Sequence, residues 1–202
     1  MSGEQTVFVV DDDAAVGRAL VSAGKVIGHP VRAFGSASEF LAAFTGEPGC
    51  LVLDIRMPGM SGTELQRHLA DAGADVPIVM ISGHADVRTA VEAMTLGAVT
   101  LLEKPFRLED LIEHVRVALA RDTQRRAARE RTASASAKLA ALTAKEREVL
   151  DLIAGGKSNR EMADLLGLSV RAVEDRRSRL MKRVSAGSVA ELVKLLAEAG
   201  AP

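Results

Sequence analysis

The chain has no tryptophan, no tyrosine and a single cysteine, Cys50. One cysteine excludes an internal disulfide framework, and its place in an apolar run reads as a small core residue. No apolar run approaches the roughly 20 residues that a membrane-spanning helix needs. The polar start, Met1 to Gln5, lacks the apolar stretch of a signal peptide. These absences predict a soluble, cytoplasmic chain with no membrane partner. Aromatic residues are unevenly spread: Phe8, Phe34, Phe40, Phe44 and Phe106 are all there are, and all lie near or before the midpoint. Stacking of single-stranded bases leans on aromatic side chains, so the second half is not built for it. A net charge of −1 excludes a polycation overall.

What is present is 202 residues with 48% hydrophobic content, enough for two domains with separate cores. In the first 120 residues, apolar runs at 7–10, 50–53, 77–81 and 99–102 read as strands, with 31–34 a weaker one. Segments 14–27, 38–44, 61–72, 86–96 and 108–119 carry helical spacing. Five strand–helix units in strict alternation predict a parallel, doubly wound α/β sheet of flavodoxin-like order, covered on both faces.

Four short pieces end the stronger runs: Asp11-Asp12-Asp13, Asp54, Ser82 and Lys104-Pro105. In an open α/β sheet, ligands bind outside the carboxyl ends of the strands. Acids, a hydroxyl and a lysine therefore converge on one point. Clustered carboxylates repel one another, and a hard cation such as Mg²⁺ relieves that repulsion while leaving room for phosphate oxygens. Asp54 is then placed to act as a carboxylate nucleophile that forms an aspartyl phosphate. Lys104 offsets charge on the phosphoryl oxygens, and Ser82 donates a hydrogen bond to one of them. Asp13 reads as a helix cap.

The segments VVDDD, LVLDIRMPGMSG, IVMISGH and LLEKPF resemble the receiver domain of two-component response regulators, most closely the FixJ type. The resemblance implies that Asp54 takes phosphate from a phosphohistidine of a sensor histidine kinase. It implies that Asp12, Asp54 and the backbone carbonyl of Arg56 bind Mg²⁺, with Asp11 acting through water, and that Lys104 precedes a cis proline. The family's switch pulls the hydroxyl residue, Ser82 here, toward the phosphate while an aromatic ring turns inward behind it. Leu101 stands where that ring is usual, so the readout is expected to be weaker or routed elsewhere. His84 is either a second readout element or an exposed loop residue. Aspartyl-phosphate enzymes such as phosphatases typically need an acid two residues after the nucleophile, and Arg56 occupies that place. The expectation is therefore no enzyme beyond Mg²⁺-dependent self-phosphorylation and slow autodephosphorylation.

Residues 121–138 hold six basic residues against two acidic ones, a net of +4, and read as a partly helical linker with 132–138 as the hinge. From Leu139 the pattern is helical. Thr143/Glu146, Ser158/Glu161 and Ser188/Glu191 fit the capping box, and Ser169 caps a further helix. Helices are expected at 144–154, 159–166, 170–184 and 189–199, with the short 167–169 turn of a helix-turn-helix. Residues 142–195 resemble the LuxR/NarL-type DNA-binding domain. On its third helix Val173, Leu180 and Val184 form the core stripe, while Arg171, Asp175, Ser178 and Lys182 lie opposite, Glu174 at the edge. That outer face is expected in the major groove of double-stranded DNA. Arg171, Lys182 and the snorkelling Arg177 suit phosphates. Glu174 and Asp175 suit a cytosine amino group, or Glu174 is a solvated ion-pair residue. Lys157, Ser158 and Asn159 are expected on the phosphate backbone. Ala172 and Arg176 replace a usual Thr and His. Eleven basic against eight acidic residues over 142–195, a net of +3, is modest for a DNA binder. A homodimer on phosphorylation is therefore expected, with the last helix as its surface unless the domain itself buries that face.

The sequence thus reads as a receiver at 1–120, a linker at 121–138 and an all-α helix-turn-helix domain at 139–202. Together these make a phosphorylation-switched transcription regulator. The alternative is a phosphorylation-independent DNA-binding dimer with an uncoupled receiver.

Overall fold

The computed structural model describes residues 4–83 and 87–200. The chain divides into two compact units, Met1–Arg125 and Arg126–Pro202. In the first, strands β1 (Thr6–Val10), β2 (Val31–Phe34), β3 (Gly49–Asp54), β4 (Ile78–Ser82) and β5 (Thr100–Glu103) form one sheet. Their order is β2-β1-β3-β4-β5, and every pair is parallel. Helices α1 (Ala14–Ile27), α2 (Ala37–Ala43), α3 (Gly62–Asp71), α4 (Val87–Thr95) and α5 (Leu108–Ala140) connect and follow them.

The apolar runs 7–10, 50–53 and 77–81 form the three central strands, β1, β3 and β4, with both faces buried. Phe8, Val10, Leu51, Leu53 and Met80 pack on one side with Phe40, Leu65 and Leu69. Val7, Val9, Val52, Val79 and Ile81 pack on the other with Leu20, Leu111 and Val115. The phenylalanines concentrate in the first of these cores, where Phe8 and Phe40 meet edge to face at 5.9 Å. Strand order reverses between β1 and β3, so Asp11, Asp12 and Asp54 flank the crevice of the topological switch point.

The expected hinge at 132–138 is corrected by the structure. The 33 residues of α5 are one helix, with no glycine or proline to interrupt it. Serine and alanine there do not break a helix. Nor is 121–138 uniformly solvated. Asp122 is buried and its Oδ2 accepts from the Gly49 N–H at 2.9 Å and from Gln5 Nε2 at 3.0 Å. At the other end, Ala135 and Leu139 belong to the core of the second unit.

That second unit holds α6 (Ala144–Ala154), α7 (Asn159–Leu166), α8 (Val170–Val184) and α9 (Val189–Glu198), the last ending one residue earlier than expected. Val149, Met162, Val173, Leu180 and Leu192 are fully buried at its centre. Thr143/Glu146 and Ser158/Glu161 are reciprocal capping boxes. The third expected box is only half formed. Ser188 accepts from the Glu191 N–H, but Glu191 Oε2 takes the Gly187 N–H at 2.7 Å. A box that the sequence reading passed over, Ser61/Glu64, starts α3. Gly167, left-handed at φ 63°, ends α7 and lets the chain turn into α8 three residues later.

Candidate functional site

Asp54 is the last residue of β3, and Asp11 and Asp12 directly follow β1. Carboxylate oxygens of all three lie within 4.8 Å of one another. Asp11 and Asp54 are buried, Asp12 exposed. Asp11 is fixed from both sides: its Oδ1 accepts from the Asp13 N–H at 2.9 Å, and its Oδ2 from Lys104 Nζ at 2.7 Å. Lys104 Nζ also stands 3.4 Å from Asp54 Oδ1, within Coulombic reach but off hydrogen-bond geometry. Among the described residues Asp54 Oδ1 has no hydrogen-bond partner. A buried carboxylate oxygen left in that state is costly. Three convergent carboxylates with one such oxygen fit a hard divalent cation, the donor set that Mg²⁺ prefers.

Burial pushes the Asp54 carboxyl above its ordinary range, Lys104 opposes that, and Asp11 and Asp12 add to it by repulsion. Burial alone would lower Lys104, but its hydrogen bond and charge contact with Asp11, helped by Asp54, leave it raised and cationic. Lys104 precedes a cis proline, Pro105, as the resemblance implied. Its N–H donates to the Ser82 carbonyl at 2.7 Å, so the lysine and the hydroxyl arrive on neighbouring strand ends. Ser82 itself is fully buried. Arg56 lies two residues past Asp54 with an exposed side chain. Leu101 is half-buried in β5, paired in register with Met80 and packed on the phenylalanine core. His84, the second candidate switch residue, lies outside the described residues. Asp13 is the α1 cap, its side chain accepting from the Ala15 N–H.

Gly62 was not singled out by the sequence reading. A Cβ there would lie 2.2 Å from the Asp54 carbonyl oxygen, and the Gly62 N–H donates to the Ile55 carbonyl at 2.9 Å. The N-terminus of α3 therefore presses on the backbone that carries Asp54. The available signal was the glycine directly after a Ser cap. Asp122 was likewise missed. It continues the buried stripe Leu111, Val115, Ala118 of α5 at helical spacing, which marks it as inward-facing.

In the second unit α8 presents Arg171, Glu174, Asp175, Ser178 and Lys182 to solvent, with Val173, Leu180 and Val184 buried. Lys157 and Ser158 are exposed at the start of α7, where Lys157 Nζ lies 3.6 Å from Glu161. Asn159 is half-buried, its amide turned to α8 rather than outward: Arg177 Nη1 donates to its Oδ1 at 2.9 Å. Arg183 Nε donates to Glu146 Oε1 at 3.1 Å, tying α8 to the α6 cap.

Residues 7–116 match the family model for the response regulator receiver domain. Residues 140–196 match that for bacterial regulatory proteins of the luxR family. The transcriptional regulatory protein FixJ of Azorhizobium caulinodans is 40% identical over 197 residues, covering 96% of this chain and 92% of that one. Nodulation protein W of Bradyrhizobium diazoefficiens is 39% identical over 195 residues, covering 96% and 86%. The solved structure of response regulator StyR shares 38% identity at a TM-score of 0.89, covering 97% of this chain and all of that one. With an acidic crevice on a five-stranded parallel sheet in one unit and a helix-turn-helix in the other, this chain belongs to the FixJ-type two-component response regulators, pairing a receiver with a LuxR-type DNA-binding domain.

Proposed function

We propose that Asp54 is the phosphoacceptor, that a sensor histidine kinase is the donor, and that phosphorylation regulates transcription through DNA binding as a homodimer in the cytoplasm. The observation that carries this is Asp54 Oδ1, buried and without a hydrogen-bond partner among the described residues, beside two further carboxylates and a lysine. As a carboxylate it attacks phosphorus. The P–N bond to the donor histidine breaks, the ring nitrogen keeps the electron pair, and an aspartyl phosphate remains. Lys104, held cationic by Asp11, offsets charge on the transferring oxygens, and the Ser82 hydroxyl donates to one of them. Asp11, Asp12, Asp54 and the Arg56 carbonyl would hold Mg²⁺, which neutralises phosphoryl charge when bound. No turnover beyond self-phosphorylation and slow autodephosphorylation is assigned. Pairing on DNA is supported by the modest +3 balance of 142–195 and by Val193, 50% exposed on α9.

The test is sedimentation and duplex-DNA binding with and without beryllofluoride and Mg²⁺, on the wild type and on Asp54→Ala. Expected are a rise in mass and a gain in affinity for the wild type only. A wild type that changes in neither sinks the proposal and favours an uncoupled receiver.

A further inference from the structure

The first turn of α7 meets the second turn of α8 through three side chains. The Asn159 amide oxygen accepts from Arg177 Nη1 at 2.9 Å. Its amide nitrogen is 3.5 Å from Glu174 Oε1, a long and weak hydrogen bond. Only one orientation of the amide fits, because a guanidinium only donates and a carboxylate only accepts. A flipped Asn159 would set donor against donor on one side and acceptor against acceptor on the other. Asn159 and Arg177 are half-buried, whereas Glu174 is exposed, so the amide steers an accessible carboxylate from within.

A carboxylate on a DNA-reading helix is repelled by phosphates, and it is favourable only where it meets a base donor. In the major groove the exocyclic amino groups are cytosine N4 and adenine N6. Adenine sets its N7 acceptor beside N6, which repels an acceptor-only group, so a carboxylate selects cytosine. We propose that Glu174 determines specificity by accepting from a cytosine amino group, and that Asn159, anchored by Arg177, is its positioning residue rather than a phosphate contact. This rests on the DNA-binding domain alone and not on phosphorylation of Asp54.

The test uses the full-length chain and a randomised duplex library, with and without beryllofluoride and Mg²⁺. Equal affinity for the selected half-site under both conditions would indict the switch and leave the reading of Glu174 unaffected. Wild-type selection defines the half-site, and competition binding then measures every single base-pair change across a salt series. Glu174→Ala should lose its cytosine preference at one position per half-site, by about tenfold, with the other positions unchanged. Glu174→Gln should move that position toward adenine. Asn159→Ala should relax the same position while the slope of log affinity against log salt stays put, because no phosphate contact is removed. If Asn159→Ala misfolds by circular dichroism, the exposed Glu174 variants decide the matter alone. Three results overturn the proposal: a wild-type half-site without a cytosine preference, Glu174 variants with every preference intact, or a folded Asn159→Ala that weakens all sequences equally and lowers the salt slope by about one.

Discussion

Asp54 concentrates the chemistry and also a cost. Its carboxyl is raised by burial and by its acidic neighbours, so the folded state disfavours its charge. A group raised on folding contributes stability below the ordinary carboxylate range and loses that contribution as pH rises through its folded value. At pH 7 without Mg²⁺, Asp54→Asn should therefore melt higher than wild type. The gap should close as pH falls into the carboxylate range, and Mg²⁺ should raise the wild type more than the variant. Thermal melts across pH check this, and a variant that melts lower at pH 7 contradicts it. Gly62 acts through backbone contact. A methyl there meets the Asp54 carbonyl and also the Ile55 Cα at 3.0 Å, neither of which can swing aside. Gly62→Ala should cost about 1–3 kcal/mol by overpacking and slow phosphorylation by a small acyl phosphate while every acidic ligand remains. Full stability with full phosphorylation would show that α3 can retreat freely. Types at strand ends made Asp11, Asp12, Asp54, Ser82 and Lys104 legible in the sequence. The pressure of Gly62 on Asp54 was not, because it depends on two segments meeting in space.

The helix α5 shows what an element can hide. Arg, Gln, Ser and Ala between 121 and 138 lack the apolar stripe by which a buried helix is recognised, and so read as a linker. Yet nothing there ends a helix, and two of its residues are buried: Asp122, which accepts from the Gly49 N–H, and Ala135, which belongs to the core of the second unit. Ala133, exposed and mid-helix, separates the two readings. A hinge would accept proline. Ala133→Pro in this continuous helix should cost about 3 kcal/mol and lower helicity by circular dichroism, and an unchanged melt would restore the hinge. The capping boxes were more legible, since both partners are local. Even so, Glu191 chose the Gly187 N–H over that of Ser188, a choice set by backbone direction before the helix rather than by spacing.

At the scale of the whole chain, two units carry three cores: one on each face of the sheet, and one inside the helical domain. Each ligand should stabilise the unit that binds it, by an amount set by its concentration over its dissociation constant. In scanning calorimetry Mg²⁺ should raise the transition of the receiver, and duplex DNA that of the helix-turn-helix domain. A single transition moved equally by both would mean that the two units unfold as one. Among the described residues no helix is long and apolar enough to cross a membrane.

The sequence by itself determined the alternation of strands and helices, the four helices of the second domain and the residue types at the strand ends. Periodicity and capping are local, and a strand run buried on both faces has little choice of partner layer. Only the tertiary structure decided that Asp122 meets the Gly49 N–H and Gln5, that Gly62 braces the phosphoacceptor strand and that Asn159 turns toward Glu174 and Arg177. Each of those depends on which distant backbone or charge a side chain meets, and packing sets that.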